Sequence, residues 1–157
     1  MIETALKKTN RRGRFSRYAP LILWIGVIFF LSSRAGSMSN TSLFMRPILR
    51  FLFPEAPEEV LLIYHGYVRK FAHFAVYAVL AFWASRAFVS SSALHLQKYW
   101  FGFAFGLVLL VAAADETNQS FLTSRTSSPF DVALDCFGGL TMILLFAFVK
   151  KYFAKRF

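Results

Sequence analysis

Four long apolar runs divide the chain. They cover residues 18–33, 68–89, 99–121 and 130–149, and each is close to the length of about 20 residues with which a helix crosses the hydrocarbon core of a bilayer. Backbone polar groups must be paired within a segment that lies in lipid, so such runs cross as helices. The pattern predicts an all-α fold, a polytopic membrane protein built as a bundle of four transmembrane helices.

The segment between the first and second runs has a different pattern. Apolar side chains alternate there with Arg46 and Arg50, and Pro47 and Pro54 interrupt them. This mixture is typical of a segment that lies on the membrane surface rather than one that crosses it. We expect an amphipathic outer loop after the first helix. Proline at 57 followed by two acids predicts a further short helix before the second run.

Composition supports a membrane location. Of the 157 residues, 57% are hydrophobic and 17% are charged, a balance more apolar than that of a soluble domain. We divide the chain into a basic arm at 1–17, a transmembrane domain at 18–153 and a basic tail at 154–157. This leaves no room for a separate catalytic domain. The single cysteine, Cys136, lies in an apolar run and cannot form an intramolecular disulfide.

The basic residues indicate the orientation of the chain. The formal net charge is +10, but Lys and Arg collect beside the apolar runs, so we expect no nucleic-acid partner. With both termini in the cytoplasm, twelve Lys and Arg residues lie inside and six outside. The positive-inside rule favours this arrangement. The first run follows a basic stretch as in a signal peptide, but we expect it to remain as an uncleaved first helix.

Polar residues within or beside the runs share one depth, at the end predicted to face outward. Residues three or four apart lie on one helix face, and the spacings here give each helix one polar stripe. An isolated charge at membrane depth costs about 2.5–3.5 kcal/mol on insertion scales, so these groups should pair or face water. The predicted site residues are Lys70, His73, Tyr77, Glu116, Gln119, Arg125, Asp131 and Asp135.

Several partners are available within this set. Lys70 or Arg125 could pair with Glu116, Arg125 could pair with Asp131, and His73 could donate to a carboxylate. One interpretation is therefore structural, with ion pairs that hold the bundle together. The glycines at 138 and 139 lie on or beside the face of Asp135, and we interpret them as packing residues.

The same residues form a known pattern. The second run contains Lys-x-x-His-Phe-x-x-Tyr-x-x-Leu from position 70, the third ends in Glu-x-x-Gln-x-Phe from position 116, and an Arg follows at 125. Asp131 opens the last run, with Gly138 seven residues later. The combination resembles the VanZ-like family, and the resemblance extends from the first run to the fourth. Asn118 stands where many relatives have His, and Asp135 where Asn is often found.

This resemblance implies a protein of the bacterial cell envelope, in the inner membrane. The family is named after a member linked to low-level resistance to the glycopeptide teicoplanin, and it has no settled biochemical mechanism. Fold and location therefore carry over more safely than an activity.

Our first functional hypothesis is binding. The outer polar residues would hold a polar or anionic head group, with Lys70 and Arg125 on the anion and with Glu116, Gln119 and Asp131 orienting them. The expected partners are membrane lipids, a lipid-linked wall precursor or a glycopeptide antibiotic.

An alternative hypothesis is a membrane-embedded enzyme that acts on a lipid-linked substrate. The candidate catalytic residues are His73, Glu116 and Asp131, with His73 and Glu116 in acid/base roles. A divalent ion held by His73 and the acids of the fourth run is part of this hypothesis. The sequence has no nucleophile motif and no compact metal signature, so we expect no cofactor and no tight metal site. Proton-linked transport is a third class, but the acids gather at one end and no inverted repeat is visible.

Overall fold

A computed structural model describes residues 2–33, 37–121 and 128–154 of the chain, and it confirms the predicted all-α fold. The described residues contain no strand. In chain order the helices are α1 (Ile2–Ser32), α2 (Met38–Leu52), α3 (Glu58–Val89), α4 (Leu94–Lys98), α5 (Trp100–Ser120) and α6 (Pro129–Ala154).

Four of these helices, α1, α3, α5 and α6, are long and apolar enough to cross a membrane. The longest is α3, whose 32 residues correspond to about 48 Å at about 1.5 Å per residue. This exceeds the hydrocarbon thickness of about 30 Å. The short helix expected after Pro57 and the second apolar run form one continuous helix.

The amphipathic segment after α1 is the helix α2. Ser37 caps it, because its hydroxyl accepts a hydrogen bond from the Asn40 amide at 3.4 Å. Leu49 is buried, while Phe44 and Phe51 on other faces are exposed. An apolar helix surface of this kind suits the boundary between head groups and acyl chains.

Polar contacts attach α2 to the start of α3. The carboxylate of Glu58 forms ion pairs with Arg46, at 2.9 Å, and with Arg50. One turn beyond the buried Leu61, the ring Nε2 of His65 lies 3.1 Å from the Thr41 hydroxyl. These contacts explain why α3 begins ten residues before its apolar run, since its first turns have α2 as a packing partner.

Small residues bring the long helices close together. Ala81 and Ala84 of α3 and Ala104 and Ala112 of α5 have no exposed surface. Close approach of this kind replaces the hydrophobic force that is missing between helices in lipid. The indole NH of Trp24 donates to the Val76 carbonyl at 3.0 Å and attaches α1 to α3.

Side-chain hydrogen bonds join the helices at both ends of the bundle. At one end, the Asn118 amide donates to the Ser32 hydroxyl at 3.1 Å. We call this the polar end, and it comprises Ser32, residues 65–73, residues 115–119 and residues 128–135. At the opposite end, the Tyr18 hydroxyl donates to Ser91 at 2.9 Å.

Candidate functional site

A cavity of about 320 Å³ opens at the polar end between α1, α2, α3 and α5. Its wall is mostly apolar and includes Ile28, Leu31, Phe44, Met45, Val68 and Val76. Polar side chains gather on the remaining lining, and they are Ser32, Thr41, His65, Arg69, His73, Tyr77, Asp115 and Gln119. The cavity is therefore amphiphilic, with apolar side chains from α1, α2 and α3 and most of its polar side chains from α3 and α5.

Asp115 is the centre of the polar lining. One carboxylate oxygen accepts a hydrogen bond from the Tyr77 hydroxyl at 2.9 Å, and the other accepts from the Gln119 side-chain amide at 3.1 Å. All three side chains are buried. Two donors from two helices thus set the orientation of one carboxylate beside the cavity.

The second carboxylate of the site belongs to Asp135, which has no exposed surface. Its Oδ1 lies 3.3 Å from Nδ1 of His73. The contact lacks hydrogen-bond geometry, and neither oxygen of Asp135 has a hydrogen-bond partner among the described residues. Atoms of His73, Asp115 and Asp135 that can coordinate a metal lie within 4.8 Å of one another.

Glu116 contacts the segment before α6 rather than the cavity. It is buried, and its carboxylate accepts a hydrogen bond from the backbone amide of Ser128. Ser128 precedes α6 and caps its first turn, since its hydroxyl accepts from the Phe130 amide at 3.2 Å. Glu116 therefore joins the end of α5 to the start of α6 and does not line the cavity.

The structure brings together half of the eight predicted site residues. His73, Tyr77 and Gln119 line the cavity, and Asp135 contacts His73. Glu116 lies at the α5–α6 connection and Asp131 is half-buried in the first turn of α6. Lys70 is exposed and has no ion pair within the described ranges. Arg125 lies outside the described residues, so its expected pairs with Glu116 and Asp131 stay predictions.

Sequence reasoning did not select Asp115 or Arg69 as site residues. Asp115 lies four residues before Gln119, and this spacing alone places both side chains on one face of α5. Arg69 lies four residues before His73 on α3 in the same way. Helix spacing could therefore have identified both residues. The family pattern instead contains their sequence neighbours, Glu116 and Lys70, and these were predicted as site residues.

The arrangement gives little support to the acid/base pair of the enzyme hypothesis. His73 lines the cavity, whereas Glu116 is engaged by the Ser128 amide outside it. A proton acceptor and a proton donor must both reach the reacting atoms. Asp115 and Asp135, rather than Glu116, are the carboxylates beside His73.

Comparison with known proteins identifies one family. The sequence model described as VanZ/LLP1 matches residues 18–150, which is most of the chain. No curated protein and no solved structure gives a significant match.

Proposed function

The chain belongs to the VanZ-like family, and from this premise we propose that it is a membrane protein that binds the anionic head group of an amphiphile in the cavity at its polar end. The observation that carries the proposal is Arg69. This residue is half-buried, lines an amphiphilic cavity and has no ion pair among the described side chains.

Arg69 suits a phosphate or carboxylate ligand. A guanidinium presents several donors in a planar fork and binds such groups through two parallel hydrogen bonds. The nearby ring of His65 and the Tyr77–Asp115–Gln119 group would contact the uncharged polar part of the head group. The sequence predicted this role for Lys70 and Arg125. Arg125 lies outside the described residues, and the exposure of Lys70 favours its neighbour Arg69.

The apolar part of the ligand would follow the remaining cavity wall. Leu31 and Phe44 line the cavity and are also exposed on the surface of the protein. In a bilayer this surface contacts acyl chains, so an amphiphile could place its head group inside while its chain stays in lipid. A lipid-linked wall precursor, a phospholipid and a lipoglycopeptide all have this form.

We expect Arg69→Gln to weaken binding of a soluble anionic amphiphile at least about tenfold, because a hydrogen bond to a charged group contributes about 1.5–3 kcal/mol. Lys70→Gln is the matched control, since it removes the same charge from the adjacent, exposed position. The measurement is titration of the purified, chelator-treated protein with short-chain phosphatidylglycerol, a short-chain prenyl phosphate and teicoplanin, each followed by microscale thermophoresis.

The three ligands distinguish the possible sources of the head group. Tight binding of one ligand that Arg69→Gln weakens and Lys70→Gln does not would support the proposal and name the class. Equal losses of affinity in the two variants would show that binding depends on net surface charge and not on Arg69 in the cavity. Absence of binding by the wild-type protein to all three would refute the proposal.

We further propose that both termini face the cytoplasm of a bacterial cell and that the polar end faces outward across the inner membrane. The twofold excess of Lys and Arg at the opposite side supports this orientation. The cavity would then accept ligands from the outer leaflet or the envelope space.

The orientation predicts which positions an impermeant reagent reaches. In a Cys136→Ala background, we expect a membrane-impermeant maleimide to label Glu55→Cys in intact spheroplasts and to label Ser92→Cys only after permeabilisation. Both positions are exposed in connections at opposite ends of α3. The reverse labelling pattern would invert the orientation and place the cavity on the cytoplasmic side.

A further inference from the structure

We propose that His73, Asp115 and Asp135 bind one divalent transition-metal ion, of the Zn²⁺ or Mn²⁺ class, beside the cavity that His73 and Asp115 line. From the sequence we expected no tight metal site, since it has no compact metal signature, and a divalent ion on His73 and the acids of the fourth run was part of the enzyme hypothesis only. The three ligands proposed here come from three different helices and form no local motif. This site adds to the proposed function, and it is tested with the metal alone.

The geometry supports three ligands around a single ion. Their coordinating atoms lie within 4.8 Å of one another, and Nδ1 of His73 is 3.3 Å from Oδ1 of Asp135. Ligands about 2.0–2.2 Å from a Zn²⁺ ion are about 3.0–3.6 Å apart. The His73–Asp135 separation already has this value, and the Asp115 carboxylate, within 4.8 Å of both, would move closer to complete the set.

Asp135 provides a second, independent observation that points to a bound cation. Its side chain has no exposed surface, and both of its oxygens lack a hydrogen-bond donor in the part of the chain that the structure describes. A buried carboxylate without donors is poorly tolerated unless it is paired or coordinates a metal. The Nδ1 atom of His73 is also buried without a hydrogen bond.

Charge and ligand chemistry indicate the class of ion. Two carboxylates and a divalent cation sum to zero charge, which suits a site within the membrane domain. One imidazole nitrogen with two carboxylate oxygens fits Zn²⁺ and Mn²⁺, whereas Ca²⁺ takes six to eight oxygens.

Neighbouring residues orient the ligands as in known metal sites. The Tyr77 hydroxyl and the Gln119 amide each bond one oxygen of Asp115, and such supporting bonds position a coordinating carboxylate. His73 and Asp115 also line the cavity. The open coordination positions of the ion would thus face the cavity, where water or the anionic part of a head group could occupy them.

The test is metal binding by the full-length protein in lipid nanodiscs. After treatment with a chelator, the protein is dialysed against Mn²⁺ or Zn²⁺, and its metal content and thermal midpoint are measured. We expect one ion per chain and a midpoint that rises with metal concentration, because a ligand that binds only the folded state stabilises it. Mn²⁺ should show ¹⁴N modulation in pulsed electron paramagnetic resonance, from the His73 ring.

Asp135→Asn should abolish the metal-dependent rise, and Asp131→Asn is its matched control. Asp131 is an acid on the same helix, one turn earlier and outside the three-residue group. His73→Ala should remove the ¹⁴N modulation, which gives a second readout if Asp135→Asn does not fold. Two results would overturn the proposal. One is equal metal content in the wild-type and His73→Ala proteins without ¹⁴N modulation in either, and the other is no bound metal at all. Either would indicate that His73 and Asp135 form a protonated or hydrated pair. The ligand titrations with chelated protein do not depend on this result.

Discussion

Asp115→Ala is expected to lower the free energy of unfolding by about 2–6 kcal/mol in chelator, because it leaves two buried donors without their acceptor, each at a cost of about 1–3 kcal/mol. Tyr77 keeps only a longer contact, at 3.5 Å, to the Val111 carbonyl. The Gln119 amide loses its bond of 3.1 Å. The measurement is equilibrium unfolding in mixed micelles, followed by circular dichroism.

Two further variants show whether the loss comes from these hydrogen bonds. Asp115→Asn keeps one oxygen acceptor and should fall between the wild-type protein and Asp115→Ala. Thr117→Ala is the control on the same helix, since Thr117 is exposed and its hydroxyl donates to the Ala113 carbonyl of its own helix. If Asp115→Ala and Thr117→Ala have equal stability, Asp115 does not organise the polar lining.

Gly138→Ala is expected to destabilise the bundle by about 1–3 kcal/mol or more, the range for overpacking a close contact. A Cβ at this position would lie against the backbone of α3, in contact with the Phe74 carbonyl oxygen and 3.1 Å from the Phe74 Cα. Because this neighbour is backbone, α3 and α6 would have to move apart. These two helices form the most extensive interface among the described elements.

Gly106→Ala is the control, because nothing lies within 4 Å of a Cβ built there. It should change stability little, or raise it slightly through the better helix propensity of alanine. Gly139→Ala should lie between the two, since its Cβ meets the Val108 side chain at 2.6 Å. A Gly138→Ala protein as stable as Gly106→Ala would contradict a tight α3–α6 approach.

The fold could be predicted because its causes are local. Each spanning run is apolar over about the thickness of the bilayer, and backbone hydrogen bonding in lipid leaves a helix as the solution for each run. What sequence reasoning did not predict was the length of α3. The contacts of Glu58 with Arg46 and of His65 with Thr41 involve a second helix, and they extend α3 beyond its apolar run.

The candidate site was predicted only in part. Helix spacing and depth placed His73, Tyr77, Gln119 and Asp135 at one end of the bundle, and the structure brings these four together with Asp115. Depth could not separate Asp115 from Glu116, which are adjacent in sequence. They point in directions about 100° apart on a helix of 3.6 residues per turn. One of them reaches Tyr77, and the other reaches the Ser128 amide.

By itself, the sequence determined that this chain forms membrane-spanning helices, and it identified the polar residues whose presence in lipid requires partners. Those properties depend on composition and on spacing within one run. Which partner each polar residue contacts depended on the rotation and separation of the helices. The close packing at Gly138 and at the buried alanines sets that rotation and separation. Only the tertiary structure could therefore show that Arg69 rather than Lys70 lines the cavity, and that Asp135 lies close to His73 and Asp115 of the cavity lining.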